Sequence, residues 1–462
     1  MVPARPRMVM EEYKDRHILV FGLARSGFAA VRLLLGAGAR VCGADENENI
    51  DVPPDLTAME THLGHFRAEI IDDIDEIVVS PGIPDDHPLF AAAAERKIAV
   101  IGELELAFRF ARAPVIAVTG TNGKSTTVEM IGAMLKEDGR EAIVAGNTGT
   151  PFSSVVGDLD EKGFFVIEIS SFQLETIDRF HPVCAGILNL TPDHLDRYRS
   201  LEDYYGAKEK LLYSMAPDDY FFFNADDPLC EAAAGRTEAV TVPFSSSGRV
   251  KGGVYLDGEL LIRERPEGTE EIICDRSSIR VVGIHNVENA LAAVAAVTPF
   301  GVTADSCRRA LASFAGLPHR MELVGRSGGI TFFNDSKATN VEAAVKSLKG
   351  LDFPVVLIAG GHDKGGDFSK LFELSDVVRS IVTIGEAAEL IENAAGGRIS
   401  CTRASSMDEA VAMAAGEAED GWLVVLSPAC ASFDMYDNFE HRGRVFRDSV
   451  MELAKRNGQE NG

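Results

Sequence analysis

No Cys-x-x-Cys pair occurs anywhere in this chain, and its seven cysteines are scattered. An odd, dispersed set excludes a disulfide framework or a cysteine zinc site read from spacing. It fits reduced thiols in a cytosolic setting instead. Cys430, in the small-residue run Ser427-Pro-Ala-Cys-Ala-Ser432, is expected as a buried inert thiol at a strand end. Positive charge is also short: 45 Lys and Arg stand against 71 Asp and Glu, for a formal net charge of −26. That argues against a nucleic-acid partner, which would require a basic face. Long apolar runs are missing. The strongest, Ala290–Val297, is far too short to cross a bilayer, so no membrane partner is expected. The N-terminal stretch carries Arg5 and Arg7 but no apolar core, so no signal peptide is visible and a cytoplasmic location is expected. Low-complexity segments and short-period repeats are absent as well. The remaining composition, 46% hydrophobic and 25% charged, is that of an ordinary globular protein, and 462 residues favour more than one domain.

The alternation of short apolar runs with helical periodicity predicts three α/β units, each a mostly parallel sheet flanked by helices. In the first, strands are expected at His17–Gly22, Arg40–Ala44, Ile77–Val79 and Ile98–Ile101, with helices at Ser26–Gly36 and Pro88–Arg96. Its first turn, Gly22-Leu-Ala-Arg-Ser-Gly27, resembles a dinucleotide fingerprint, with Asp45 about twenty residues further on. Ala24 replaces the glycine that lets a pyrophosphate approach closely, so the pattern points away from NAD while leaving a related nucleotide open. In the second unit, strands are expected at Phe164–Ile169, Cys184–Leu190 and Tyr220–Asn224, and helices at Ser200–Leu212 and Asn286–Val297. A hairpin is expected around Asp257-Gly258. The third begins near Leu317-Pro318. It has strands at Ile330–Phe333, Val355–Ala359, Ser380–Ile384 and Leu423–Leu426, helices at Val341–Leu348, Ser369–Leu374 and Met407–Ala415, and a frayed tail from Lys455.

The second unit opens on the most informative segment, Thr119-Gly-Thr-Asn-Gly-Lys-Ser-Thr126, which follows the apolar run Pro114–Val118 and precedes an apolar-periodic stretch. This order reads as strand, phosphate loop and helix. Gly120 and Gly123 let backbone N–H groups turn towards an anion, and the helix start adds its positive end. Lys124 can reach terminal phosphates and Ser125 can hold Mg²⁺. Val118 stands where the usual signature has its first glycine, so the loop is shorter than that of kinases and GTPases. In so acidic a chain, attraction for phosphate must be local, from backbone dipoles, a few cations and metal ions.

Other clusters fall at strand ends. Glu168 closes a buried strand in the unit that holds the phosphate loop, where a carboxylate can reach a bound Mg²⁺. His194, in Leu190-Thr-Pro-Asp-His194, reads equally as a metal ligand or a loop histidine. Lys208, taken alone, reads as a solvated lysine on a helix. Pro318-His-Arg-Met321, Asn334-Asp-Ser-Lys-Ala-Thr-Asn340 and Gly360-Gly-His-Asp-Lys364 place Asp335, Lys337 and Lys364 where ligands collect in open sheets.

These motifs occur in one order along the whole chain, together with Gly146-Asn-Thr-Gly149, Glu168-Ile-Ser-Ser-Phe-Gln173, His194-Leu-Asp-Arg197, Ala207-Lys208, His285-Asn-Val-Glu-Asn289, Leu317-Pro-His-Arg320 and Leu426-Ser-Pro-Ala-Cys-Ala-Ser432. In that combination the chain resembles the ATP-dependent Mur ligases of peptidoglycan synthesis, whose short phosphate loop accounts for Val118. The Asp-Asn-Pro-Arg of the diaminopimelate- or lysine-adding members is replaced here by Asp335-Ser-Lys-Ala-Thr-Asn340, which points to D-glutamate as the added amino acid.

The resemblance implies a Rossmann-like UDP-sugar domain (1–102), a central P-loop ATP-binding domain (103–316) and a Rossmann-like amino-acid domain (317–462). It implies an ATP-dependent amide ligase with ATP and two Mg²⁺ ions, acting as a monomer on UDP-N-acetylmuramoyl-L-alanine and D-glutamate. Gly120, Thr121, Asn122, Gly123, Lys124, Ser125, Thr126, Asn286, Asn289, Arg320 and Asp335 would bind ATP across a domain interface. Ser26, Asp45, Ser80, Gly82, Asn147, Ser170 and His194 would bind the UDP-sugar. Lys337, Thr339, Lys364, Ser432 and Phe439 would receive D-glutamate. Ser125 and Glu168 would hold one Mg²⁺. His194 and a carbamate formed on Lys208 would hold the other. Lys124, Glu168, His194 and Lys208 form the implied catalytic set. A folylpolyglutamate synthase and a non-catalytic nucleotide switch are the alternative readings.

Overall fold

The computed structural model describes residues 6–193, 197–265, 267–281, 283–349, 351 and 353–460. Among them are three sheets of five, nine and six strands.

The first sheet is wholly parallel, in the order Glu60–Leu63, Arg40–Asp45, His17–Phe21, Glu76–Val79, Ala99–Gly102. His17–Phe21 comes first in sequence yet sits at the centre, so the winding reverses beside it. That reversal opens a crevice at the carboxyl ends of its neighbours, where open α/β sheets bind ligands. Asp45 and Ser80 lie at those strand ends, and Ser26 on the first turn of the helix Arg25–Gly36.

The nine-stranded sheet runs Glu270–Asp275, Leu260–Glu264, Val254–Asp257, Val240–Ser245, Tyr220–Asn224, Cys184–Ile187, Val115–Thr119, Phe164–Glu168, Ala142–Gly146. Its pairings are parallel except the two made by Leu260–Glu264. The expected hairpin is there, with Gly258 at φ 58° in its turn. Val115–Thr119, the seventh strand in that order, is buried along its whole length between Cys184–Ile187 and Phe164–Glu168, and it delivers the phosphate loop. The six-stranded sheet runs Glu322–Ser327, Ile330–Asn334, Leu423–Leu426, Val355–Gly360, Val378–Ile384, Ser400–Arg403. Only its first pairing is antiparallel.

Glu60–Leu63, Ala142–Gly146, Glu270–Asp275, Glu322–Ser327 and Ser400–Arg403, all sheet edges, and the interior strand Val240–Ser245 are not announced by the sequence pattern. An edge strand buries less and carries more polar residues, so its apolar signal is weak. Two expected helical stretches end or form as 3₁₀ turns, Lys210–Leu212 and Phe368–Leu374. The tail expected to fray from Lys455 is instead the last part of a 22-residue helix, Phe439–Glu460. That helix buries Arg442, Phe446 and Val450 against the third sheet's layer, which carries the polar end along.

Contacts divide the chain into two units: residues up to Ile279 with His285–Ala312, and Arg280–Ile284 with Ser313 onward. The first two sheets share a unit because one apolar core runs from Val9 to Ala239 through both. A polar network at the helix Glu103–Phe110 reinforces it. The Glu105 carboxylate is fully buried and accepts the backbone N–H groups of Asp178, Arg179 and Phe180, each at 2.9 Å. Arg109, also buried, donates to Glu105 at 2.9 Å and to Glu76 and the Tyr13 hydroxyl at 3.0 Å each. Buried charge is tolerated where partners of this kind are close by.

Candidate active site

The phosphate loop leaves Val115–Thr119 and enters the helix Lys124–Glu137. Gly120 (φ 146°) and Gly123 (φ 86°) both occupy backbone space that side chains avoid. A Cβ at Gly123 would collide with Asn289 Oδ1, so glycine is required twice over. The loop is pinned to the neighbouring strand end. Asn189 Oδ1 accepts Asn122 N–H at 2.8 Å, its amide returns a hydrogen bond to Asn122 O at 3.1 Å, and Thr121 N–H reaches Asn189 O at 3.0 Å. Lys124 Nζ folds onto the loop's own carbonyls, Gly120 O at 2.9 Å and Thr121 O at 3.0 Å. Ser125 is buried at the first helical turn with Thr126 beside it.

Two partners of this loop come from distant sequence. Glu168, 3% exposed, accepts Asn147 Nδ2 at 3.0 Å and Thr148 Oγ1 at 2.9 Å. Burial pushes its carboxyl up, but hydrogen bonds from Asn147, Ser125 and Thr148 and the charge of Lys124 outweigh it, and the group is held below its usual range. Lys208, expected from its helix alone to be solvated, is 2% exposed. Its Nζ donates to Gly120 O at 3.0 Å and lies 4.7 Å from the centre of the Tyr204 ring. Burial, with the charge of Lys124, pulls its pKa down to about 7, against a smaller opposing pull from Asp193. Two lysines therefore share one loop carbonyl. His194 lies outside the described residues. Among the described residues, no group of three or more His, Cys, Asp and Glu is arranged to hold a metal. The donors present, a carboxylate and the Ser125 hydroxyl beside a phosphate loop, still suit Mg²⁺. That ion takes one or two protein oxygens and completes its shell with water and phosphate.

Asn286 and Asn289 lie one turn apart on the helix Ile284–Val297, both buried and joined at 3.3 Å. Asn289 Oδ1 also accepts from Thr127 Oγ1 at 3.4 Å, which ties this pair to the phosphate-loop helix.

In the first sheet, Asp45 accepts Leu23 N–H at 2.6 Å and Asn47 N–H at 2.9 Å, and Ser80 Oγ donates to Gly22 O at 2.7 Å. A Cβ at Gly27 would strike Gly22 O, so the broken fingerprint still needs that glycine for packing. Gly82 is exposed in the same turn. Ser170 caps a short helix, Ser171–Leu174, in a capping box with Gln173.

In the second unit, Asp335 accepts Ser427 Oγ at 2.8 Å and Met321 N–H at 3.3 Å. Burial lifts its carboxyl to about 6, although its hydrogen bonds and the charge of Arg320 pull the other way. Lys337 Nζ lies 5.7 Å from the Phe439 ring centre, Ser432 is buried, Thr339 is half-buried and Lys364 is exposed. Sequence reading missed Arg442, which is 1% exposed. It donates to Ser336 Oγ and O at 3.0 and 2.9 Å and to Cys430 O and Ala431 O at 3.1 Å each, drawing the Asp335 loop to the Ser432 loop. Nearby, His319, Met321 and Ala429 hold positive φ without being glycine, strain of the kind stored at functional loops. Thr148 and Tyr204 were also missed. For Tyr204 the only sequence signal was its place one helical turn before Lys208.

Three family models match the chain in order: the Mur ligase MurD-like N-terminal domain over 16–102, the Mur ligase middle domain over 118–297, and the Mur ligase glutamate ligase domain over 319–430. A UDP-N-acetylmuramoylalanine--D-glutamate ligase from Thermoanaerobacter sp. (strain X514) is 40% identical over 455 residues, covering 96% of this chain and all of that one. One from Acidobacterium capsulatum is 41% identical over 452 residues, covering 95% and 97%. The chain belongs to the Mur ligase family. Solved structures share the Mur ligase fold at lower identity. UDP-N-acetylmuramate-alanine ligase from Thermotoga maritima superposes with a TM-score of 0.59 at 20% identity, over 95% of this chain and 99% of that one. MurF ligase from the same organism gives 0.57 at 16% identity, over 96% and 97%. As a Mur ligase the chain is an ATP-dependent enzyme of peptidoglycan synthesis. The MurD-like first domain sets the folylpolyglutamate synthase reading aside.

Proposed function

We propose that this Mur ligase joins D-glutamate to UDP-N-acetylmuramoyl-L-alanine, driven by ATP, in the cytoplasm and as a monomer. The observation that carries the reading is the convergence of Lys124, Glu168 and Lys208 on one phosphate loop, in a chain that resembles D-glutamate ligases from end to end. In support of the location, no helix among the described residues is long and apolar enough to cross a membrane.

The division of labour follows the three domains, 1–102, 103–316 and 317–462. Ser26, Asp45, Ser80, Gly82, Asn147 and Ser170 take the UDP-sugar, with His194. The loop residues Gly120 to Thr126, with Asn286, Asn289, Arg320 and Asp335, take ATP. Lys337, Thr339, Lys364, Ser432 and Phe439 take D-glutamate. Ser125 and Glu168 would hold one Mg²⁺, and His194 with carbamylated Lys208 the other. These ions would supply charge neutralisation at the transferred phosphoryl group.

The alanyl carboxylate attacks the γ-phosphorus, the bond to the β-phosphate oxygen breaks, and an acyl phosphate and ADP form. The neutral amine of D-glutamate then attacks the acyl carbon, loses a proton and expels phosphate. Lys124 balances the phosphate charge and the loop amides orient it. Catalysis here is positioning and electrostatics. The carbamate reading of Lys208 has a physical basis. At neutral pH an ordinary lysine is almost all ammonium, which cannot attack carbon dioxide. With its pKa near 7, a large share of Lys208 is the nucleophilic amine. The test is phosphate release with each substrate omitted in turn. Release only when ATP, the UDP-sugar and D-glutamate are all present supports the ligase. Release without either acceptor would support a nucleotide switch instead.

A further inference from the structure

Arg197 closes the motif His194-Leu-Asp-Arg197, yet neither metal nor phosphate chemistry uses it. Its guanidinium reaches back across 114 residues to the turn that follows Glu76–Val79. Nη2 donates to Ile83 O at 2.9 Å, and Nη1 approaches Pro81 O and Gly82 O at 3.5 Å each. The same guanidinium is held from behind. Nη2 pairs with Glu175 at 3.1 Å, and the group lies 4.3 Å from the Phe172 ring centre. Glu175 in turn accepts the Tyr198 hydroxyl at 2.5 Å, and Tyr198 stacks on Phe172 at 5.9 Å.

From the other side, the turn rests on the first strand. Ser80 donates to Gly22 O, and Gly22 leaves no room for a Cβ against Ser80. Beside the clamp, a cavity of about 630 Å³, lined by Ser80, Pro81, Ile83, Phe172, Arg197 and Tyr198, takes the place of packed protein. Hydrogen bonds to one planar cation therefore tie the turn to the segment that carries Arg197. A fork-shaped donor suits several carbonyls at once, and lysine would not replace it.

We propose that Arg197 is a positioning residue that fixes the Ser80–Ile83 turn relative to the phosphate loop. It thereby sets the distance between the uridine end of the substrate and its reacting carboxylate. The inference rests on the assignment of Ser80 and Gly82 to the UDP-sugar. A turn that carries the nucleotide end must keep register with a carboxylate activated in another sheet, and Arg197 lies three residues from His194, on the segment nearest that chemistry in sequence. Loss of the clamp therefore weakens use of the uridine handle and leaves the ATP and amino-acid sites intact.

The test compares wild type, Arg197→Lys and Arg197→Ala on two substrates: the full UDP-sugar, and the same sugar-alanine carrying phosphate alone in place of UDP. Hydrogen bonds from a charged group to these carbonyls are worth a KM change of about 10- to 100-fold. Arg197→Ala should raise KM for the UDP-sugar by that factor and leave KM for ATP and D-glutamate within about 3-fold. It should have little further effect on the truncated substrate, because the uridine advantage is already lost. Arg197→Lys should recover only part of the loss. Melting temperature is measured on each variant. If Arg197→Ala does not fold, the same comparison on Arg197→Lys decides. Equal penalties on both substrates, or a matched rise in all three KM values, overturn the clamp. If wild type itself shows no preference for the UDP-bearing substrate, the assignment of the Ser80 turn fails and the clamp's function with it.

Discussion

Lys208 Nζ lies 3.0 Å from Gly120 O, the carbonyl that Lys124 also holds from the opposite end of the phosphate loop. Two lysines on one acceptor, one of them buried, is an arrangement that works against the charged form of Lys208 in the absence of an anion, and its pKa is drawn down to about 7. It prepares the loop to receive negative charge, from phosphate and from the carbamate proposed on Lys208.

Lys208→Ala should fold as wild type and lose at least about 10²-fold in kcat, the scale of removing one preorganised electrostatic group. Labelled carbon dioxide should give a carbamate carbon signal in wild type that the variant lacks. A variant with near-wild-type kcat, or an identical signal in both, would falsify the carbamate role.

Lys364 is exposed at the loop after Val355–Gly360, free to close on an incoming carboxylate. Lys364→Ala should raise KM for D-glutamate by the equivalent of about 1.5–3 kcal/mol, the range for hydrogen bonds to charged groups. KM for ATP should stay within about 3-fold. Equal effects on the two substrates would remove Lys364 from the amino-acid pocket.

Asp335 gives the second unit a pH signature. Its carboxyl titrates at about 6 in the fold against an ordinary 3.8. The folded state therefore binds more protons than the unfolded state between those values. Stability from the protonated form is complete below pH 3.8 and is lost as pH rises through about 6. The full difference is worth about 3 kcal/mol. Melting of wild type relative to Asp335→Asn should decline between pH 4 and pH 7. A constant offset across that range would show that the carboxyl is not shifted.

Arg109→Ala strips the cation from buried Glu105 and leaves buried Glu76 with Arg16 alone, at 3.6 Å. Leaving buried carboxylates without their partner should destabilise the first unit by about 3–5 kcal/mol. Denaturant titration followed by a probe in the first unit measures this. A change below about 1 kcal/mol would mean that water or neighbouring donors replace Arg109 fully.

Local structure in this protein was legible from the chain alone. A strand, two glycines, a lysine and a hydroxyl within eight residues define the phosphate loop, because backbone sign and helix start depend on near neighbours. The central strands were legible for the same reason, since full burial writes a continuous apolar run. The family order of motifs identified the chemistry, down to the amino acid implied by Asp335-Ser-Lys-Ala-Thr-Asn340. Tertiary structure alone decided the rest. Nothing around Lys208 in sequence distinguishes it from a solvated lysine. Its burial is set by the ends of strands many residues away, and burial together with Lys124 moves its titration to neutral pH. Arg442 carries no mark in the sequence, and only the packing of the last helix brings its guanidinium to four loop acceptors. Arg197 and the Ser80 turn lie more than a hundred residues apart, and only the shared core of the first two sheets brings them within hydrogen-bond reach. Propensity is a property of neighbours in the chain, whereas burial and electrostatic environment sum over neighbours in space.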